Sequence, residues 1–182
     1  MDPVADLTTY TTRIEEVLWG CALIALTLVI HAFGMILAMR FNSAFKGRFE
    51  RVPSFSWGML NLVLTTWIIT CVHLVEVMAW AGFFQWKHCF PNYSTANYFT
   101  FLEYTTVGSQ LALPQQWRLL EGMVATAGLL GFAWSTGVLL TVAQEFQEQQ
   151  LQASEQRRGN RGPEPPESPA VPAREGSGGA HP

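Results

Sequence analysis

Three long apolar runs separated by polar connections make up most of the chain. Val17 to Met39 is free of Lys, Arg, Asp and Glu and is interrupted only by His31. Trp57 to Phe84 is broken only by His73 and Glu76. Trp117 to Val142 has Arg118 and Glu121 near its start and no charge after them. A helix crossing ~30 Å of hydrocarbon needs about 20 apolar residues, so the pattern predicts an all-α membrane protein with transmembrane helices over 17–39, 57–84 and 117–143. The flanking pieces are an N-terminal segment, 1–16, a basic loop, 40–56, and a C-terminal tail, 144–182.

The connection between the second and third runs contains a shorter apolar segment. After QWKHCFPN, an exposed turn, Ser94 is placed to cap a helix over 94–106, in which Tyr98, Phe99, Phe101 and Leu102 recur at helical spacing. About 12 residues at 1.5 Å each cover only ~18 Å, too short to span, so the helix is expected to be re-entrant or interfacial. The loop over 107–114 that follows must then be enclosed by protein or line water, because bare backbone is not tolerated in hydrocarbon.

Composition sharpens this picture. The chain has 182 residues with 14% charged, and beyond residue 143 lie four of its 11 Lys and Arg and six of its 14 Asp and Glu. The tail begins as EFQEQQLQASEQRR, able to prolong the third helix by a few turns. From Gly159 it is Pro, Gly, Glu, Ser and Ala, a composition that buries too little apolar surface to offset its conformational entropy and is expected to be disordered. A formal net charge of −3, with no basic face, excludes nucleic acid as a partner. The three cysteines encode neither a disulfide framework nor a zinc pattern. MDPVADLTTYTTRIEE lacks the basic start of a cleavable signal, so the first run is expected to be retained.

Arg40, Lys46, Arg48 and Arg51 crowd the first connection and Arg157, Arg158 and Arg161 follow the third run, whereas Arg13, Lys87 and Arg118 on the other side are diluted by Asp2, Asp6, Glu15 and Glu16. The positive-inside rule therefore predicts a multi-pass protein of the cell inner (plasma) membrane with its N-terminus outside and its C-terminus cytoplasmic.

Thr105-Thr106-Val107-Gly108, after a short aromatic helix and before the last span, resembles the selectivity-filter signature of potassium channels. Tyr98-Phe99, Trp117-Arg118-Leu119-Leu120 with Glu121, Trp134-Ser135-Thr136, His73-x-x-Glu76 and Trp80-Ala81 are similar to a small bacterial potassium-channel-like pore-domain family, over about Val72 to Gln147. The resemblance implies a pore built from an outer helix, a pore helix, a filter loop (Thr105, Thr106, Val107, Gly108, Ser109) and an inner helix. Since one chain supplies one loop, it also implies a homotetramer in the bilayer with K+ or Na+ as the permeant ion, and neither a cofactor nor an enzymatic activity. Physically, successive backbone carbonyls around an axis replace the water of a dehydrated cation. Gly108 admits a backbone angle closed to most residues. The sequence departs from the family's TVGYG at Ser109 and Gln110, so the outer filter is expected to be wider and potassium selectivity weak.

The competing readings are a non-conducting scaffold or accessory subunit with a vestigial hairpin, and a membrane enzyme holding a metal on His31, His73 and Glu76. Buried ionisable groups in a membrane are functional candidates. His73 and Glu76 share a helix face and are expected to support the pore helix, as is Glu103 behind the filter. Counted from the ends of the apolar runs, His31 lies ~12 Å from the cytoplasmic side and His73 ~24 Å, which separates them and speaks against a metal site. Gly122, Gly128, Gly131 and Gly137 are read as close-packing positions, and Asn92-Tyr93-Ser94 as a glycosylation acceptor set too near the membrane.

Overall fold

The computed structural model describes residues 10–49 and 55–160. It is all-helical over them, with α1 Ile14–Phe49, α2 Phe55–Trp86, α3 Tyr93–Tyr104, a single 3-10 turn at Gln115–Trp117, and α4 Leu119–Asn160. Three segments, Ile14–Ala44, Phe55–Trp86 and Gln115–Glu155, are long and apolar enough to cross a membrane. Leu26, Val29, Phe33, Trp67, Met78 and Leu129 are large, apolar and exposed on these helices. Such a belt is unfavourable in water and suits a hydrocarbon solvent.

The helices outrun the apolar segments that announce them. α1 absorbs much of the stretch expected as a basic loop, and α4 continues 17 residues past Ala143. Apolarity marks only the part of a helix that meets lipid. The hydrogen-bond ladder itself continues through polar residues until capping or a breaker ends it. Residues 161–182, which hold most of the segment expected to be disordered, lie outside the described residues.

α1 packs against α2 and α4, and α3 is wedged between α2 and α4. The main core lies at the α3 end, where Trp80, Phe84, Phe99, Tyr104, Leu120 and Val124 are fully buried, and a smaller one gathers Met35, Ala38 and Ile69. Just past the end of α2, Lys87 Nζ lies 4.7, 4.6 and 5.1 Å from the ring centres of Trp19, Trp86 and Trp117, a cation–π contact that lets a charged side chain sit on an aromatic surface. Next to it, burial pushes the Cys89 thiol up to about 11.

The start of α3 corrects the expected cap. Asn92, not Ser94, is the N-cap, its extended backbone leaving its side-chain oxygen to accept from Thr95 N at 2.8 Å. α3 ends at Tyr104 rather than 106, where Thr105 closes the last turn by donating its N–H to Phe101 O at 3.1 Å. Against that end runs α4, whose Gly128 carries no side chain: a Cβ there would sit 2.0 Å from Tyr104 O. Gly131 is close-packed too, whereas Gly122 and Gly137 meet nothing within 4 Å.

Gly128→Ala should therefore destabilise the fold by about 1–3 kcal/mol through overpacking against backbone. Gly137→Ala, inside α4 where a Cβ meets nothing within 4 Å, should gain about 0.5–1 kcal/mol from helix propensity. Unfolding in detergent checks both, and equal effects would mean that the α3–α4 approach is not tight.

Candidate functional site

The loop after α3 is shaped by where its amide groups go. Thr106 N donates to Glu103 O at 2.9 Å, Val107 N and Gly108 N to Leu102 O at 3.0 and 3.3 Å, and Ser109 N to the Glu103 carboxylate at 2.8 Å. Four successive amides are thus folded back onto the end of α3. All peptides here are trans, and across a planar trans peptide the C=O points opposite to the N–H. The carbonyls of Thr105, Thr106, Val107 and Gly108 are consequently directed away from α3. Val107, in the middle of the run, is 72% exposed.

This geometry needs left-handed backbone. Gly108 has φ 79°, and Thr106, a β-branched residue, has φ 60°. A conformation of this kind costs about 1–3 kcal/mol in a non-glycine residue and persists only where its surroundings enforce it. Gln110 does not take it up: among the described residues outside glycine only His88 and Thr106 have positive φ. Further along, Ser109 Oγ accepts from Leu111 N at 3.0 Å and the Glu121 carboxylate from Leu113 N at 2.7 Å. The Glu16 carboxylate reaches from α1 to the first amide of α4, accepting from Leu119 N at 2.5 Å, and its other oxygen accepts from Tyr10 Oη at 2.9 Å.

Behind the loop lies a buried polar cluster. His31 Nδ1 is 2.8 Å from one Glu76 oxygen, and Tyr104 Oη donates to the other. His73 Nδ1 is 2.8 Å from Tyr104 Oη and 3.4 Å from Glu76, and its Nε2 is 2.9 Å from Ser135 Oγ. Ser135 Oγ in turn lies 3.3 Å from His31 Nε2. A Cβ on Gly131 would come within 3.0 Å of Tyr104 Oη and 3.2 Å of the His73 ring, so the cluster fits because α4 presents a glycine to it.

The depth assigned to His31 from the apolar runs is overturned. His31 stands 18 residues before the end of α1 at Phe49, and His73 stands 18 residues after the start of α2 at Phe55. Measured along the helices, rather than along the apolar stretches, the two are level. His31, His73 and Glu76 each bring a ligand-type atom within 4.8 Å of the others, and each of those atoms is hydrogen-bonded within the cluster.

Glu103 meets Ser109 of the loop, and His73 and Glu76 meet Tyr104 at the end of α3. Tyr104 and Ser135 were not singled out as site residues, although Tyr104 adjoins the filter motif and Ser135 lies within Trp134-Ser135-Thr136. The available signal was the cost of burying His73 and Glu76, which demands polar partners; which residues supply them depends on how the helices are rotated. A second polar set, in which buried Asn61 donates from Nδ2 to Asn42 Oδ1 at 2.5 Å and Asn42 Nδ2 reaches half-buried Glu145 at 3.3 Å, ties α1, α2 and α4 away from the loop. Comparison of the chain with protein-family models, curated proteins and solved structures finds no match.

Tyr104→Phe removes one hydroxyl from a buried carboxylate and an imidazole, and should cost about 1–3 kcal/mol in detergent unfolding. Elemental analysis of the purified protein should find no stoichiometric metal. Metal that is present and then lost on His73→Ala would replace the hydrogen-bonded account with a coordination site.

Proposed function

We propose that the chain forms a homotetrameric monovalent-cation channel of the plasma membrane, its N-terminus outside and its C-terminus cytoplasmic. In this reading α3 and the loop after it form a re-entrant hairpin, Thr105 to Ser109 line the narrowest part of the pore, and α4 lines the rest. The observation that carries the reading is the run of four carbonyls, Thr105 to Gly108, directed away from α3 by the pinning of the amides behind them. Carbonyls held on one side of a loop are what a dehydrated cation requires. One chain presents one such face, and four around an axis would enclose an ion. The exposed α3 residues Tyr98 and Phe101 would then meet neighbouring copies.

Selectivity is the weaker half of the pore. Ser109 and Gln110 stand where a tyrosine and a glycine would continue the filter, and Gln110 lacks the positive φ that a glycine would adopt. The inner carbonyls keep their support from Glu103, and the outer ring is lost. A 100-fold preference between cations needs about 2.7 kcal/mol, more than a partial filter supplies.

Purified protein in liposomes should therefore pass both K+ and Na+, with reversal potentials under bi-ionic gradients showing little preference. Gly108→Val should abolish the flux. Absence of flux from well-folded protein, or a monomer persisting in lipid, would favour the non-conducting accessory subunit. A cysteine introduced at Ser43 should resist impermeant thiol reagents applied outside intact cells, and its labelling would reverse the topology.

A further inference from the structure

The polar cluster behind the loop is a closed ring, and its protons can be counted. Five side chains from all four helices are joined by five hydrogen bonds: His31 to Glu76, Glu76 to Tyr104, Tyr104 to His73, His73 to Ser135, and Ser135 to His31. Each bond holds one proton, so the complete ring holds five. With both imidazoles neutral, Tyr104 and Ser135 protonated and Glu76 ionised, the groups bring only four. One bond would then be empty and a net negative charge would be buried. A fifth proton fills the ring and makes it neutral, whether it rests on Glu76 or crosses the 2.8 Å bond to His31. A sixth has no bond to occupy. Every member is buried, where an unpaired polar group or charge is costly.

We propose that this ring is a binding site for one proton. The proton joins α1, α2, α3 and α4 through a single circuit, and its loss opens the circuit at one bond. The groups facing it are His31 from α1, His73 and Glu76 from α2 and Tyr104 from α3. α4 supplies Ser135 and two aromatic rings, Trp134 at 5.4 Å from His31 and Phe132 at 4.6 Å from His73, and no titratable group. Coupling of this proton to conduction rests on the pore reading above, through Tyr104 at the base of the loop; the proton count does not.

The sign of the effect follows from the unfolded chain, where Glu titrates near ~4.3 and His near ~6.5. Between those values the five groups hold about six protons when unfolded against five in the ring, so unfolding takes one up and stability rises with pH. Above ~6.5 they hold about four when unfolded, so unfolding releases one and stability falls. The unfolding equilibrium constant should pass through a minimum near pH ~6.5 and then rise about tenfold per pH unit.

Reversible unfolding of the purified full-length protein in mixed micelles, from pH 5 to 8, below the range in which the raised Cys89 thiol would itself contribute, tests this against two variants. In Glu76→Gln the amide donates to His31 and its carbonyl accepts from Tyr104, so all five bonds form without the extra proton, and the alkaline rise should disappear. Ser135→Ala keeps every titratable group and opens the ring, so the rise should end at lower pH than in the wild type. A wild-type profile without an alkaline rise, or an equal rise in Glu76→Gln, would overturn the proposal. So would an alkaline limb unchanged in Ser135→Ala, or a profile abolished by a chelator, which would put a metal ion in the proton's place. Ion flux is not part of the readout, so a channel that fails to conduct leaves this result standing, and a ring that fails to titrate leaves the pore untouched.

Discussion

A carboxylate cannot be buried among apolar helices without partners, and Glu76 is fully buried. The rest of the fold accommodates this constraint. Its two oxygens are met by His31 from α1 and Tyr104 from α3, which draws the peripheral helix and the short helix onto the same turn of α2. The imidazole one turn earlier, His73, then finds Ser135 on α4. Removing one partner of such a group is costly because the other is left unpaired in a medium that cannot solvate it. The four helices are therefore joined at one point by polar contacts, while generic apolar packing holds them elsewhere.

The loop after α3 follows a related logic. Three acidic residues, Glu16, Glu103 and Glu121, each spend an oxygen on a backbone amide, at Leu119, Ser109 and Leu113. A carboxylate accepting from an amide forms a charge-assisted bond, shorter and stronger than a neutral one. Together these contacts hold the 105–119 stretch at its middle and its far end without a tyrosine bracing its outer part. The left-handed turn at Thr106 persists because the amides on either side of it are occupied. The ring of His31, Glu76, Tyr104, His73 and Ser135 holds the near end of the same stretch, so polar groups support the loop over its whole length.

Among the readings available from the residues alone, the three long helices, the short helix between the last two and the polar turn before it depend on local pattern, and the structure contains each of them. Runs of about 20 apolar residues are legible because the period and length of a lipid-facing helix are imposed by the bilayer, whatever the neighbours do. Helix ends were less legible. Asn92 and Ser94 are both good caps, and Arg40 no more ends a helix than Leu37 does, so α1 and α4 extend well past their apolar portions.

The position of His31 was decided by tertiary structure alone. Its distance along the sequence from Glu76 is 45 residues, and only the packing of α1 on α2, with its particular offset and rotation, brings the two within hydrogen-bonding reach. The same holds for Tyr104, beside the filter motif, and for Ser135, within Trp134-Ser135-Thr136, neither of which the pattern marks as a partner of His73 or Glu76. By itself the sequence determined that His73 and Glu76 must find partners, because burial of charge is costly anywhere in a membrane. Which side chains answer that demand was left to the relative rotation of four helices, since on a nearly uniform apolar surface the pattern of residues carries too little amphipathic signal to specify the facing side.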